Sequence, residues 1–219
     1  MRRLVATVLL VGAASTSALA GDQATCSPAG MEAYFPCSSC HGRDGEGNEA
    51  FRAPALAGQS EDYLAAQLRA FRAGRRGAHP MDPSGRQMAF LADSLQGEEE
   101  IGSVACYLST LTPASRTPVV VGNLEAGASH YVACAACHGA RAEGRPQLGA
   151  PALDRIQDWY QLAQLKAYRE GWRGASGADP AAIQMRAAAM ALPDEEAMRD
   201  VVAYIAAREG FSVLKDAIP

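Results

Sequence analysis

The sequence lacks several features that commonly indicate a function. It has no long block of Lys and Arg, and its formal net charge is −4, so nothing suggests nucleic acid as a partner. It has no convincing alternation of polar and apolar residues, so no β-strand is expected. It also has no Ser/His/Asp set, phosphate-binding loop or zinc motif. These absences leave few enzyme classes open.

Long hydrophobic runs are absent beyond the first 20 residues. Residues 1–3 form a basic start, and residues 4–14 form a short apolar run. The small residues at 18–20 suit a cleavage site, so the segment is typical of a cleaved signal peptide. The apolar run is shorter than the roughly 20 residues that a membrane-spanning helix needs. An uncleaved anchor is the alternative. We expect export to the periplasm with loss of residues 1–20, and at most peripheral membrane association.

The sequence does contain one short motif twice, Cys-x-x-Cys-His, at residues 37–41 and 134–138. This is the attachment signature of a c-type haem, in which two cysteines bond the porphyrin and the histidine binds the iron. Zinc or a thioredoxin-like redox pair are alternatives, but each cluster here is self-contained and carries the same histidine. The motifs therefore predict two covalently bound haem c groups. The candidate attachment residues are Cys37, Cys40, Cys134 and Cys137, and the candidate proximal ligands are His41 and His138.

The two motifs belong to a tandem duplication with an offset of 97 residues (134 − 37). At this offset many other residues match, and a period this long indicates two copies of a domain. Between the two copies, Pro113 and Pro118 stand among Ser and Thr residues, which suits an extended connector. We expect a first domain at 21–111, a linker at 112–122 and a second domain at 123–219. Matching pairs include Gly30 with Gly127, Tyr34 with Tyr131, Tyr63 with Tyr160, Gln67 with Gln164, and Arg76 with Arg173.

Each copy reads as helical, so the predicted fold class is all-α. One helix runs into each haem motif. A second helix follows Ser60, which can cap it, and ends near Gly74. A last helix begins at Glu98, where acidic residues suit the first turn. The second copy repeats this pattern. A small domain with this much loop has a thin hydrophobic core, and a buried porphyrin would add apolar contacts to it.

Histidine leaves the sixth position of each iron open, and a methionine could close it. Only two of the candidate methionines match each other at the 97-residue offset, Met88 and Met185. Flexible core methionines are the alternative interpretation. Because two methionines occupy equivalent places, we expect both to bind iron. The unmatched candidates are Met81, Met190 and Met198.

Residues around the haems can also be proposed. Pro54 and Pro151 each follow the ligand histidine by 13 residues, and a proline carbonyl could accept the second ring N–H of that histidine. Loop-turning prolines are the alternative. Arg76 and Arg173 are matched arginines that could bind haem propionates, although solvated arginines explain the pattern equally well.

The pattern as a whole resembles the cytochromes c4, dihaem class I cytochromes c. The resemblance lies in the two Cys-x-x-Cys-His-Gly motifs, the segments 54–59, 63–68 and 71–75, the methionine before Leu95 and the closing helix at 104–107. It covers essentially the whole mature chain. It implies two class I domains with haems facing across a pseudo-twofold interface, His–Met ligation of each iron, and electron transfer towards a terminal oxidase.

Two features depart from the family pattern. Residues 154–157 of the second copy differ from residues 57–60 of the first, so that turn is expected to differ. Cys26 and Cys106 are additional. In class I cytochromes the helices that bear these positions cross, and the periplasm is oxidising, so a Cys26–Cys106 disulfide is expected. Free buried thiols are the alternative.

Three functions are compatible with this interpretation. The first is an electron carrier, which exchanges electrons with redox proteins such as a quinol-oxidising complex or dehydrogenase and a terminal oxidase. The second is the cytochrome subunit of a periplasmic dehydrogenase. The third is an enzyme such as a peroxidase or a sulfur-compound oxidase, which needs an open iron and nearby acid–base groups. The matched methionines argue against the third.

Overall fold

The computed structural model describes Cys26 and residues 28–175 and 177–215, the last seven by their backbone alone. The expected signal peptide at 1–20 lies outside these residues. The first copy contains four helices, α1 (Pro28–His41), α2 (Glu61–Arg72), α3 (Pro83–Asp93) and α4 (Glu98–Thr110). The second contains α5 (Leu124–His138), α6 (Asp158–Arg169), α7 (Pro180–Ala191) and α8 (Glu195–Lys215).

Short 3-10 helices complete each copy, at Glu49–Phe51, Pro146–Leu148 and Leu153–Arg155. The described residues form no β-strand beyond two isolated bridges, Asn48 with Ala53 and Arg145 with Ala150. The third 3-10 helix lies in the turn that was expected to differ between the copies. In the described ranges, no helix is long and apolar enough to cross a membrane.

Local sequence explains where the helices begin. The Ser60 hydroxyl accepts a hydrogen bond from the Tyr63 N–H and so caps α2. Asp82 caps α3 and Asp179 caps α7, each through a backbone N–H of the first turn. A proline follows each of these aspartates at the first helical position, where its fixed φ favours a helix. We did not predict α3 and α7 from the sequence.

In each half the first helix crosses the last, α1 with α4 and α5 with α8. Glycine permits the close approach. A Cβ on Gly30 would overlap the Ser103 carbonyl oxygen, and one on Gly127 would overlap the Asp200 carbonyl oxygen. Each half has its own core, with α2 or α6 packed beside this crossing. Core residues include Tyr34, Leu64, Ile101, Val104 and Leu108 in the first half, and Tyr131, Leu162, Met198, Val201 and Ile205 in the second.

Candidate functional site

Each half of the chain contains a pocket between the helix with the Cys-x-x-Cys-His motif and the helix with the matched methionine. Helices α1 and α3 face each other across the first pocket, and α5 and α7 across the second. The lining residues with metal-binding or covalent chemistry are Cys37, His41 and Met88 in the first pocket, and Cys134, Cys137, His138 and Met185 in the second. Cys40 lies one turn beyond Cys37 on α1.

In the first pocket, the histidine is buried and fixed in orientation. The side chain of His41 is 4% exposed, and its Nδ1 lies 2.8 Å from the carbonyl oxygen of Pro54. Its Nε2 lies 3.5 Å from Sδ of Met88. Burial lowers the pKa of His41, although the hydrogen bond to Pro54 acts in the opposite direction. The neutral ring donates its Nδ1–H to Pro54 and presents the lone pair of Nε2 to the pocket.

The second pocket repeats this arrangement. The Nδ1 atom of His138 lies 3.0 Å from the carbonyl oxygen of Pro151. Burial lowers the pKa of His138, again opposed by the proline carbonyl. Met185 lines the same pocket from α7. The carbonyl oxygens of both prolines that the sequence suggested as acceptors therefore lie within hydrogen-bond distance of the motif histidines.

The motif cysteines are free thiols, and Cys37, Cys134 and Cys137 line the pockets. Burial raises the pKa of Cys37 and of Cys134, so both are protonated at neutral pH. Among the described residues, no three His, Cys, Asp or Glu side chains converge to hold a metal ion.

The other methionines lie away from the pockets. Met81 and Met190 are exposed, at 61% and 55%. Met198 is 1% exposed and belongs to the core of the second half. The structure thus places in the pockets the two methionines that match at the 97-residue offset.

Sequence analysis missed the role of two matched tyrosines. The Tyr34 hydroxyl donates a hydrogen bond of 2.6 Å to the carbonyl oxygen of Gly42, directly after the motif histidine. The Tyr131 hydroxyl donates the equivalent bond, 2.7 Å long, to Gly139. Burial raises the pKa of both tyrosines, so both stay protonated donors. The match of Tyr34 with Tyr131 at the 97-residue offset was the feature of the sequence that could have pointed to this role.

The two pockets meet at the interface between the halves, where Arg76 and Arg173 lie. Arg76 lines the first pocket and Arg173 the second. Each guanidinium also crosses to the other half. Arg76 donates to the Tyr160 hydroxyl at 2.7 Å, and Arg173 donates to Gln67 Oε1 at 2.8 Å. The Nε atom of Arg173 is buried and has no hydrogen-bond partner.

Further polar contacts at the interface were not predicted. The side-chain amide of Gln59 pairs with the backbone of Ala152, donating at 2.6 Å and accepting at 3.1 Å. The amide of Gln157 accepts from the Ala55 N–H at 2.7 Å and donates to the Glu46 carbonyl oxygen at 2.7 Å. Neither glutamine has a glutamine at its matched position, so the duplication gave no signal for them.

A disulfide joins Cys26, in the segment before α1, to Cys106 on α4. The Cα atoms are 5.5 Å apart. It is the pair expected from the crossing of the first and last helices in class I cytochromes, and it fastens the start of the helix that carries the first motif.

The residues of both pockets fit a covalently attached haem. Each pocket offers a fixed neutral imidazole and a thioether sulfur. Two thiols line the second pocket, and in the first Cys37 lines the pocket with Cys40 one turn further along the same helix. Apolar side chains form most of the remaining lining, which suits a porphyrin. The unpaired, buried Nε of Arg173 is suited to a carboxylate of the same group.

Comparison with known proteins agrees with this geometry. The family profile of cytochrome c matches residues 28–112 and again 124–209. Cytochrome c4 of Azotobacter vinelandii is 31% identical over 80% of this chain and 86% of its own. The crystal structure of cytochrome c4 from Pseudomonas stutzeri superposes with a TM-score of 0.63, at 26% identity over 81% of this chain and 95% of its own.

The chain belongs to the cytochrome c4 family.

Membership confirms the predicted all-α fold of two tandem cytochrome c domains. This cytochrome c4 carries two covalently bound haem c groups, one in each domain. It is an electron-transfer protein and not an enzyme. The thiosulfate dehydrogenase electron acceptor of Thiomonas intermedia is also similar, at 33% identity over 83% of this chain and 82% of its own.

Proposed function

We propose that this cytochrome c4 is a periplasmic carrier of single electrons with two closed, low-spin His/Met haems. The observation that carries the proposal is the close approach of His41 Nε2 to Met88 Sδ, 3.5 Å apart in the first pocket. A nitrogen and a sulfur that meet in one pocket are the atoms that would hold the iron of a haem bound there. An iron closed on both sides exchanges electrons without binding a substrate.

In this proposal each side chain has a defined role. Bound haem supplies a ferric/ferrous couple that takes up and releases one electron. The proline carbonyls orient the histidines, and the tyrosines hold the turns that follow them. The attachment residues are Cys37, Cys40, Cys134 and Cys137, the proximal ligands are His41 and His138, and the distal ligands are Met88 and Met185.

The location and the domain boundaries belong to the same proposal. A signal peptide at 1–20 directs export, and haem is attached in the periplasm. The mature chain forms domains at 21–111 and 123–219 with a linker at 112–122. The donor is a quinol-oxidising complex or a dehydrogenase, and the acceptor is a terminal oxidase of the respiratory chain.

A second candidate function is the cytochrome subunit of a periplasmic dehydrogenase. It is favoured by the similarity to the thiosulfate dehydrogenase electron acceptor of Thiomonas intermedia. A solved thiosulfate dehydrogenase from Marichromatium purpuratum is also similar, at 34% identity, with a TM-score of 0.64 over 36% of that chain. Stable co-purification with a dehydrogenase from the native organism supports this alternative, and recovery of the cytochrome alone supports the free carrier.

The axial ligands can be tested by absorption spectroscopy of the haem-loaded protein. We expect the weak long-wavelength band of a methionine–ferric bond, with no spectral change when carbon monoxide is added to the reduced protein. Met88→Ala and Met185→Ala should each remove half of this band and open one haem to carbon monoxide. Met81→Ala, at an exposed position, is the matched control and should change neither property. Carbon monoxide binding by the unmodified protein contradicts the closed carrier.

A further inference from the structure

The interface between the domains contains two arginines that have only neutral partners. Arg76 and Arg173 form no ion pair with any carboxylate in the described part of the chain; their polar contacts are with Gln and Tyr side chains. The side chain of Arg173 is 8% exposed. A buried cation without an anion is unfavourable because desolvation is not compensated. The site therefore calls for an anion from outside the polypeptide.

The two guanidinium groups share their hydrogen-bond acceptors. Gln67 Oε1 accepts from Arg76 at 2.7 Å and from Arg173 at 2.8 Å. Gln164 Oε1 accepts from Arg173 at 2.6 Å and from Arg76 at 3.3 Å. Two like charges are thus held against the same two carbonyl oxygens. Their mutual repulsion further favours an anion nearby.

Packing fixes both guanidinium groups. Arg76 lies over the ring of Phe71, 4.3 Å from its centroid, and Arg173 lies over the ring of Tyr168 at 4.6 Å. A positive φ at the following glycine, Gly77, lets the backbone turn close to α3, where a Cβ would overlap the carbonyl oxygen of Gly85. The two cations cannot easily swing away to solvent.

Both pockets open onto this cluster. The first pocket is lined by Arg76 together with Tyr160 and Gln164 of the second domain, and the second pocket by Arg173 together with Tyr63 and Gln67 of the first. A haem held in either pocket would bring its own carboxylates to this interface. It would then meet polar side chains from both domains.

We infer that Arg76 and Arg173 form one shared electrostatic unit, hydrogen-bonded through Gln67 and Gln164, that sets the reduction potentials of both haems together. This inference rests on the proposed binding of one haem in each pocket. The two arginines are positioning residues, since they act on the iron through charge.

The sign of the effect follows from the charges. Reduction adds one electron to a ferric iron, supplied in the experiment by a chemical reductant through mediators, and gives a ferrous iron with one positive charge less. A nearby cation opposes the ferric charge and so favours the ferrous form. Removal of either arginine should therefore lower the reduction potential. Because the unit is shared, it should lower the potential of both haems.

The test is a spectroelectrochemical titration of haem-loaded Arg76→Gln and Arg173→Gln, with the two haems assigned by their paramagnetic NMR signals. We expect both potentials to fall in each variant, with the larger fall at the haem of the mutated domain. Arg69→Gln is the matched control, because Arg69 is half exposed, lies on the same domain and pairs with Glu98. It removes the same charge and should leave both potentials nearly unchanged.

Gln67→Glu provides a second variant that keeps the shape of the cluster. It places a carboxylate where both arginines already donate, so both potentials should fall together. If each substitution moves only the haem of its own domain, or if no shift exceeds that of Arg69→Gln, the shared unit is wrong. A haem count of two per chain in the unmodified protein tests the proposed function separately.

Discussion

At the scale of single residues, two matched glycines, Gly30 and Gly127, allow the first and last helix of each domain to pack closely. A Cβ on Gly30 would lie 2.9 Å from Tyr107 Cβ and overlap a backbone oxygen of α4. A tilted pair of tyrosine rings, Tyr34 and Tyr107, lies in the same contact with centroids 5.7 Å apart. The helix of the haem motif can therefore approach the last helix this closely only because Gly30 has no Cβ.

Gly30→Ala should lower the free energy of unfolding by about 1–3 kcal/mol, because an added methyl group must push two backbones apart. Gly102→Ala is a matched control, since a Cβ there would meet nothing within 4 Å. On the helix α4 that substitution should stabilise the protein by about 0.5–1 kcal/mol. Denaturant unfolding of both variants measures the difference, and equal effects would contradict this account of the crossing.

Residues with a short-range signature were predictable from the sequence. The haem motifs specify cysteine and histidine by adjacency, and the 97-residue offset selected Met88 and Met185 among several methionines. Gln59 and Gln157 carry no such signature. Their hydrogen bonds join atoms about a hundred residues apart, and only the fold brings these atoms together.

At the scale of helices, the two domains fasten the first helix to the last by different means. Positions 26 and 123 are equivalent at the 97-residue offset. In the first domain Cys26 is bonded covalently to Cys106. In the second, the Asn123 N–H donates a hydrogen bond of 2.7 Å to Oδ1 of the buried Asp200. A covalent bond in the first domain and a hydrogen bond in the second thus both fasten the start of the first helix to the last helix.

The double substitution of Cys26 and Cys106 by serine should destabilise the first domain by about 2–4 kcal/mol, because the unfolded chain regains the freedom of a long loop. The disulfide closes a sequence separation of 80 residues. Amide hydrogen exchange should show faster local opening of α1 and α4, with a smaller change in α5 and α8. Reductant should have the same effect on the unmodified protein and none on the variant; equal exchange in all three samples would contradict the prediction.

Helices α3 and α7 show why element prediction was incomplete. Each begins with Asp-Pro, a recognisable start, but the glycines just before it favour a loop. The apolar residues of α7 are also spread around the helix, so its amphipathic pattern is weak. Both helices line a pocket, and few of their residues are buried in the protein core.

At the scale of the whole molecule, the domains are joined by polar contacts as well as by the linker. Asp158 Oδ2 accepts from the N–H groups of Val119 and Val120, each at 2.6 Å, and so holds the linker against the second domain. Gln59 crosses from the first domain into the second with two buried hydrogen bonds. These contacts predict that the two domains unfold together.

Gln59→Ala should weaken this coupling by about 1–3 kcal/mol, since it leaves the N–H and the carbonyl oxygen of Ala152 without partners. We expect denaturant unfolding to separate into two steps. The second can be followed by the fluorescence of Trp159 and Trp172, which both lie in the second domain. Gln96→Ala, at an exposed position, is the control. A single step in Gln59→Ala, at the midpoint of the unmodified protein, would show that this glutamine does not couple the domains.

The existence of two domains followed directly from the internal repeat, but the way they meet did not. Matching residues reveal what the copies have in common, and an interface within one chain also depends on where they differ. Gln59 is matched by Ile156, and Ser60 by Gln157. These differences decide which side chain crosses the interface in each direction.

The crossed contacts between Arg76, Arg173, Gln67 and Gln164 give the interface an approximate twofold symmetry. Each copy uses the same residues to bind the other, which is how two identical subunits meet in a symmetric dimer. The two domains of this single chain therefore pack in the manner of an isologous dimer. Gln59 and Gln157 depart from that symmetry, because Ile156 and Ser60 occupy their matched positions.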